Sequence, residues 1–284
     1  MTKVLIPFDF SEQAQNALDF STGLAERLGN IHLEVLHVLE TPSSSSYRVM
    51  GGGADAIPDM ENQIFFIELM ERRKEQLEEL RQKYKDSNFT FTTSIKMGNA
   101  FKSISESINE ENPDLVVMGS KGTSGIEEIL IGSNTEKVVR TAHCPVITIK
   151  SAIESDSIKK IVFASDFRNE TAKLATRIKR LQELFDAELY LVVVNTPASF
   201  ETTRESISRI KSYTLKYHME NVKAEVYNSR SEESGIIEFA EDINADLIAM
   251  ATHGRTGFLH LITGSIAEDV VNHTNRPVWT FKEK

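Results

Sequence analysis

At 284 residues the chain is about twice the length of an ordinary domain, so two domains are expected. Its 40% hydrophobic and 26% charged residues exclude a disordered or fibrous chain, and 42 acidic against 32 basic side chains, a net charge of −10, argue against general nucleic-acid binding. A single cysteine, Cys144, excludes an internal disulfide or a cysteine-rich metal site. Apolar stretches such as Leu189–Val194 fall far short of the roughly 20 residues a membrane span needs. Pro7 and Asp9 interrupt the first apolar run too early for a signal peptide, so a cytoplasmic location is expected.

In chain order, a strand is expected near Val4–Phe8, a helix from Ser11 and a second strand at Ile31–Leu39. The segment Thr41–Asp59, with its serine run and three glycines, cannot bury enough apolar surface to order itself and reads as a mobile loop. A charge-rich helix follows from about Asp59, through Glu61–Lys85, with a solvated face of i,i+4 pairs. The remaining elements are a strand at Thr90–Lys96, a helix from Ala100, a strand at Leu115–Gly119, a helix from Ser133 and a strand at Val146–Lys150.

The pattern then starts again. Asn112–Thr148 aligns without gaps on Asn244–Thr280 with 14 identities in 37 positions, where chance would give two or three. KVLIPFDFS (Lys3–Ser11) corresponds to KIVFASDFR (Lys160–Arg168), placing Asp9 over Asp166, and Leu33–Val38 corresponds to Leu189–Val194. The offset falls from 156 to 132 between second and third strands, so the first repeat carries 24 extra residues there; Thr41–Asp59 is the candidate. Residues 1–150 and 157–284 are thus two domains joined by the polar linker Ser151–Ser157. Continuous apolar strands such as LVVM and LIAM, alternating with helices, predict two doubly wound α/β domains with parallel sheets covered on both faces. Ligands of such sheets bind at the carboxyl ends of the strands, where strand order reverses.

After the fourth strand comes Gly119, two residues, Gly122, nine residues, then Gly132-Ser133. This is neither a P-loop nor a dinucleotide fingerprint, but glycines let backbone N–H groups approach an anion, and a helix opening at Gly132-Ser133 offers unpaired N–H groups that favour negative charge. Asp9, at the end of the first strand, could accept hydrogen bonds from a ribose or base. Each residue also has a plainer reading. Ser133 with Glu136, and Ser265 with Glu268, have the spacing of a capping box; Gly132 and Gly264 suit turns; Asp9 and Asp166 suit helix starts. Cys144 reads as a buried structural thiol. The seven histidines show no metal-ligand spacing, and no nucleophile–base pair or carboxylate dyad can be placed in the crevice.

The G-x2-G-x9-G-[ST] spacing after an early V-L-I-P-x-D, with the CPV and RPV endings of the two repeats, resembles the universal stress protein family over essentially the whole chain. The resemblance implies strand order 3-2-1-4-5 in each domain, pairing of the domains through their last strands as an internal pseudo-dimer, and ATP or ADP between the first and fourth strands, with Mg2+ carried by the nucleotide. Carried over, Asp9 and the backbone of Val38 hold the adenosine end, and Gly119, Gly122, Gly132 and Ser133 the ribose and phosphates. The matching residues of the second repeat are Asp166, Val194, Ala251, Gly254, Gly264 and Ser265. Ala251 departs from the pattern; a methyl against the ligand would cost about 1–3 kcal/mol, a 5- to 150-fold loss at about 1.4 kcal/mol per tenfold. Against that, His253 and Arg255 offer charge where the first repeat has Lys121; the intact glycines place repeat one slightly ahead. The resemblance implies a nucleotide-binding regulator of the stress response acting on an unknown protein partner, with a homodimer possible. The alternatives are a nucleotide-free adaptor, a slow ATPase or an adenylate-transferring relative, and a different ligand in repeat two.

Overall fold

The computed structural model describes residues 2–40, 60–120, 131–168, 170–253 and 265–283; the expected loop at Thr41–Asp59 lies outside them. The first half runs β1 (Thr2–Pro7), α1 (Glu12–Leu28), β2 (Ile31–Leu39), α2 (Met60–Lys83), β3 (Thr90–Met97), α3 (Ala100–Glu111), β4 (Leu115–Gly119), α4 (Ser133–Thr141) and β5 (Val146–Ile149). After a single 3-10 turn at Ser155–Ser157 the second half repeats it: β6 (Lys160–Ala164), α5 (Ala172–Phe185), β7 (Glu188–Asn195), α6 (Thr203–Lys216), β8 (Val222–Asn228), α7 (Glu232–Asp242), β9 (Leu247–His253), α8 (Ser265–His273) and β10 (Val278–Glu283).

Local chemistry sets the ends of these helices. Ser11 accepts from Ala14 N at the start of α1, and Gly29, in the left-handed region at φ 68°, returns its N–H to Ala25, the conformation glycine adopts without steric penalty. Thr171 caps α5, and Thr202 with Glu205 forms a reciprocal capping box on α6, each such cap stabilising its helix by about 1 kcal/mol. The extra length of repeat one is partly helical: α2 has 24 residues where α6 has 14.

Within each half the strands are parallel in the order 3-2-1-4-5, but the two five-stranded sheets are not separate. The full order is β3-β2-β1-β4-β5-β10-β9-β6-β7-β8, with β5 and β10 antiparallel at the centre in the register Val278↔Thr148, Trp279↔Ile147 and Thr280↔Val146. Pairing removes two apolar edges that would otherwise template aggregation. On the face covered by α1, α2, α5 and α6, one core runs through both halves and holds Phe20, Ile147, Phe185, Trp279 and Phe281; Phe20 of α1 meets Phe185 of α5 with ring centroids 5.9 Å apart. The opposite face has a separate core in each half. Each fully buried large side chain contributes about 1.5–3 kcal/mol, so the junction is part of the core.

Candidate functional site

The order 3-2-1-4-5 reverses between β1 and β4, which opens a crevice at the carboxyl ends of β1, β2 and β4. Asp9 follows β1 there. Its Oδ1 accepts from the N–H of Ser11 at 3.0 Å, across Phe10 at φ 65°. Asp166 does the same in repeat two, accepting from Arg168 N at 2.9 Å across Phe167 at φ 53°. Both are Asx turns. The helix-start reading of the two aspartates is therefore corrected: Ser11 and Thr171 cap the helices, and each aspartate holds its own turn.

The position of Val38 follows from ladder parity. Thr2 N bonds Asn30 O and Phe8 N bonds Leu36 O, so even-numbered residues of β2 direct their N–H and C=O towards β1. Val38 is the next such residue, and the β1–β2 register stops at Pro7↔Leu36. Its main chain thus faces the crevice, while its side chain packs against the core on the α3 face that holds Leu5, Leu36 and Ile104. Val194 has the same place in repeat two, where Ser165 N bonds Val192 O.

Gly119 ends β4, and its glycine character answers to packing. A Cβ there would lie 2.7 Å from Gln13 C and 2.9 Å from Ala14 N, inside the first turn of α1. Ala251 is tolerated because α5 begins at Ala172, about one turn later than the repeat alignment with α1 would place it. Its methyl packs on the core shared with Ala249.

The chain returns to the crevice at Gly132, whose N–H donates to Ser120 O at 2.6 Å. Gly132, at φ −63° and ψ 139°, is the N-cap of α4 and supplies no side-chain cap. Ser133 is therefore the first helical residue, and the capping box expected of Ser133 and Glu136 is absent. Thr135 Oγ1 donates to Gly119 O at 2.9 Å, tying the first turn of α4 to the end of β4. Beside them Ser120 is buried, and its hydroxyl has no partner among the described residues. Gly122, Lys121, Gly254, Arg255 and Gly264 lie outside the described residues; Ser265 opens α8.

Several neighbours were not signalled by the repeat. Arg73, on α2, stacks its guanidinium 4.3 Å from the Phe10 ring centroid, bringing a positive charge to repeat one besides Lys121. Phe10 meets His37 at 5.0 Å, and His37 Nδ1 contacts Phe8 O at 2.7 Å. Burial, reinforced by the Arg73 charge, holds this imidazole below its ordinary pKa, so it is neutral at pH 7. Asn272 of α8 accepts from Ile131 N at 2.7 Å, anchoring the approach to Gly132 onto the other half of the molecule. Asn272 stands where repeat one has Arg140, so only the departure from the repeat marks it.

The second crevice is bound up differently. Arg209 of α6 donates through Nε to the Asp166 carbonyl at 2.6 Å and makes a bidentate pair with Glu201, to which Arg168 adds a contact at 3.7 Å. The Arg209 guanidinium pulls the Glu201 carboxyl down to about 2. Cys144 is buried and its thiol is pushed up to about 11 by burial, a protonated and unreactive state. Among the described residues no three His, Cys, Asp or Glu side chains are grouped to hold a metal, and no helix is long and apolar enough to cross a membrane.

The model of the Universal stress protein family matches residues 1–150 and again 157–282. The chain is 31% identical over 155 residues to universal stress protein MJ0577 of Methanocaldococcus jannaschii, covering 52% of this chain and 94% of that one. It is 22% identical over 292 residues to universal stress protein Slr1230 of Synechocystis, covering 99% of this chain and all of the relative. In three dimensions it superposes on a universal stress protein from Archaeoglobus fulgidus with a TM-score of 0.72 at 22% identity, over 99% of this chain and 98% of the other. With both halves matched, the same strand order in each and one turn chemistry at both crevices, the chain belongs to the universal stress protein family as a tandem two-domain member.

Proposed function

We propose that the protein is an adenine-nucleotide-binding regulator of the stress response, taking ATP or ADP in the crevice of repeat one with Mg2+ carried by the nucleotide. One observation carries this reading: α4 opens on a glycine with no side-chain cap, beside the buried hydroxyl of Ser120, which has no partner among the described residues. A helix N-terminus left in that state attracts phosphate, because its first N–H groups lack partners and carry the positive end of the helix dipole.

In this reading the amides from Gly132 into the first turn of α4, with Ser133 and Ser120, hold phosphate oxygens; Gly119 acts by letting α1 close against β4. The open main chain of Val38 pairs with the edge of the base, and Asp9, oriented by its turn, accepts from the ribose hydroxyls. Mg2+ would neutralise phosphate charge alongside these amides. Repeat two has Asp166, Val194, Ala251, Gly254, Gly264 and Ser265 at the matching positions of its sequence but commits Arg209 to Glu201. One nucleotide per chain is therefore expected.

Isothermal titration of the full chain with ATP and Mg2+ tests the assignment, with Gly132→Asp as the decisive variant. The backbone at Gly132 suits a side chain, and aspartate is a better N-cap than glycine by a few tenths of a kcal/mol. It would bond the amides that phosphate needs and repel the anion as well. Binding should weaken at least tenfold while the melting temperature holds or rises. No heat with the unaltered chain would favour an adaptor that works without nucleotide, whereas binding indifferent to the substitution would overturn the assignment of the phosphates to the start of α4. Phosphate release in a single-turnover mixture would add an ATPase role.

A further inference from the structure

Beyond the nucleotide reading, and independent of it, the outer edge of repeat two has the form of a docking site. The bonds from Leu189 N to Asn221 O and from Ser229 N to Asn195 O, both 3.1 Å, fix ladder parity at the last strand. Odd-numbered residues of β8 bond β7, so Val222, Ala224, Val226 and Asn228 turn their N–H and C=O groups outward from the terminal strand of the sheet. The side chains of Val222 and Ala224 point to the α6 face, where with Ile207, Lys211, Thr214 and Met219 they line a groove of about 530 Å³. An open hydrogen-bonding edge and a partly apolar groove thus run side by side, the combination that accepts an extended peptide as an added strand.

Natural sheets usually guard such an edge with proline, a bulge or a lysine. β8 has no proline, and its register with β7 runs unbroken from Val222 to Asn228. Its lysine, Lys223, lies on the opposite face, bonded to Glu188 at 2.8 Å and Tyr190 at 2.9 Å. At the other end of the sheet, Phe91 of β3 is covered by Tyr84, 4.7 Å between ring centroids.

Charge decides between occupants. α6 carries Arg204, Arg209, Lys211 and Lys216 against the single acid Glu205. Arg209 is held by Glu201, whereas Lys211 has no ion pair among the described residues. Twofold pairing of β8 with β8 of a second copy would bring two such helices together and oppose like charges; an acidic strand is complementary. We propose that the β8 edge and the α6 groove bind an acidic segment of a partner protein by strand addition.

A fluorescein-labelled octapeptide of alternating valine and glutamate is the probe, read by anisotropy and by residue-resolved amide exchange of the full chain. The expected result is saturable binding with slowed exchange at Val222, Ala224 and Val226 and no change at Lys223 and Glu225, whose amides already face β7. Ala224→Pro removes an outward donor without touching the β7 ladder and should weaken binding at least tenfold, as should Lys211→Glu. Replacing glutamate by lysine in the peptide should do the same. Should Ala224→Pro fail to fold, an octapeptide N-methylated at alternate residues makes the equivalent test from the ligand side and should not bind. Absence of saturable binding, affinity indifferent to these changes, or dimerisation of the chain alone that Ala224→Pro abolishes would each overturn the proposal, the last by assigning the edge to a second copy.

Discussion

The two crevices share one turn and differ in everything packed around it. In both, an aspartate folds over a left-handed phenylalanine to bond the second N–H beyond it. In repeat one, α1 then begins at once and presses on Gly119, and Arg73 reaches across to stack on the phenylalanine. In repeat two the helix starts later, an alanine fills the position of the glycine, and Arg209 ties the turn carbonyl to Glu201. Duplication preserved the local conformation, while the half with the long α2 kept its cation over an aromatic ring and the half with the short α6 placed its own in an ion pair. The lesson is that a repeated motif reports its backbone faithfully and its electrostatics poorly.

Exchanging the residues at the first glycine position gives the largest expected effect on stability. Gly119→Ala forces a methyl to within 3 Å of main-chain atoms of α1 and should destabilise the fold by about 1–3 kcal/mol, read from chemical denaturation. Ala251→Gly should lose about 1 kcal/mol through a half-buried methyl and a freer backbone, and the nucleotide stoichiometry expected for the proposed site should remain one per chain. A rise to two in Ala251→Gly would mean that the methyl bears on a ligand after all.

The tandem α/β architecture was legible because internal repetition and continuous apolar strands alternating with helices are local properties, whereas the strand order and the meeting of the last strands were implied only by the family resemblance. The long α2 was legible as well: expected through Glu61–Lys85, it runs over Met60–Lys83, because its pattern of i,i+4 charges is also local. The capping box at Ser133 failed because S-x-x-E spacing is equally produced when a glycine one residue earlier takes the cap. Arg73 and Asn272 act across elements far apart in the chain, where periodicity carries no information. Gly119 was legible as a required glycine, but its contact with α1 was not, since spacing cannot say which element a missing Cβ would meet.

The ion pair of the second crevice can be isolated by pH. Glu201 is held well below its unfolded value by Arg209, so its contribution is present above the ordinary carboxylate pKa near 4.5 and fades as pH falls through about 2. Glu201→Gln should therefore be less stable than the parent at pH 7, by about 1 kcal/mol for a pair whose side chains are 20% and 19% exposed, with the gap closing between pH 4.5 and 2. Arg73→Gln in repeat one should show no such pH-dependent gap. An equal pH response in both would erase the distinction drawn between the two halves.

The smallest effect should come from the junction, where the halves meet and their differences cancel. Glu136 and Glu268 are equivalent residues on α4 and α8, and burial, then the Glu136 charge, raises the Glu268 carboxyl above its ordinary value, with Arg140 opposing; one Glu268 oxygen is buried without a partner among the described residues. A carboxyl raised on folding stabilises the fold while protonated and loses that contribution as pH rises through its folded value. Glu268→Gln keeps the shape and removes the charge, so it should raise the melting temperature slightly at pH 7 and match the parent below about pH 4.5, the ordinary carboxylate value. Glu136→Gln should give part of the same gain, because it removes the repulsion and leaves the desolvation. If Glu136→Gln instead gave the larger gain, like-charge contact across the junction, rather than burial, would be the main strain that pairing β5 with β10 imposes.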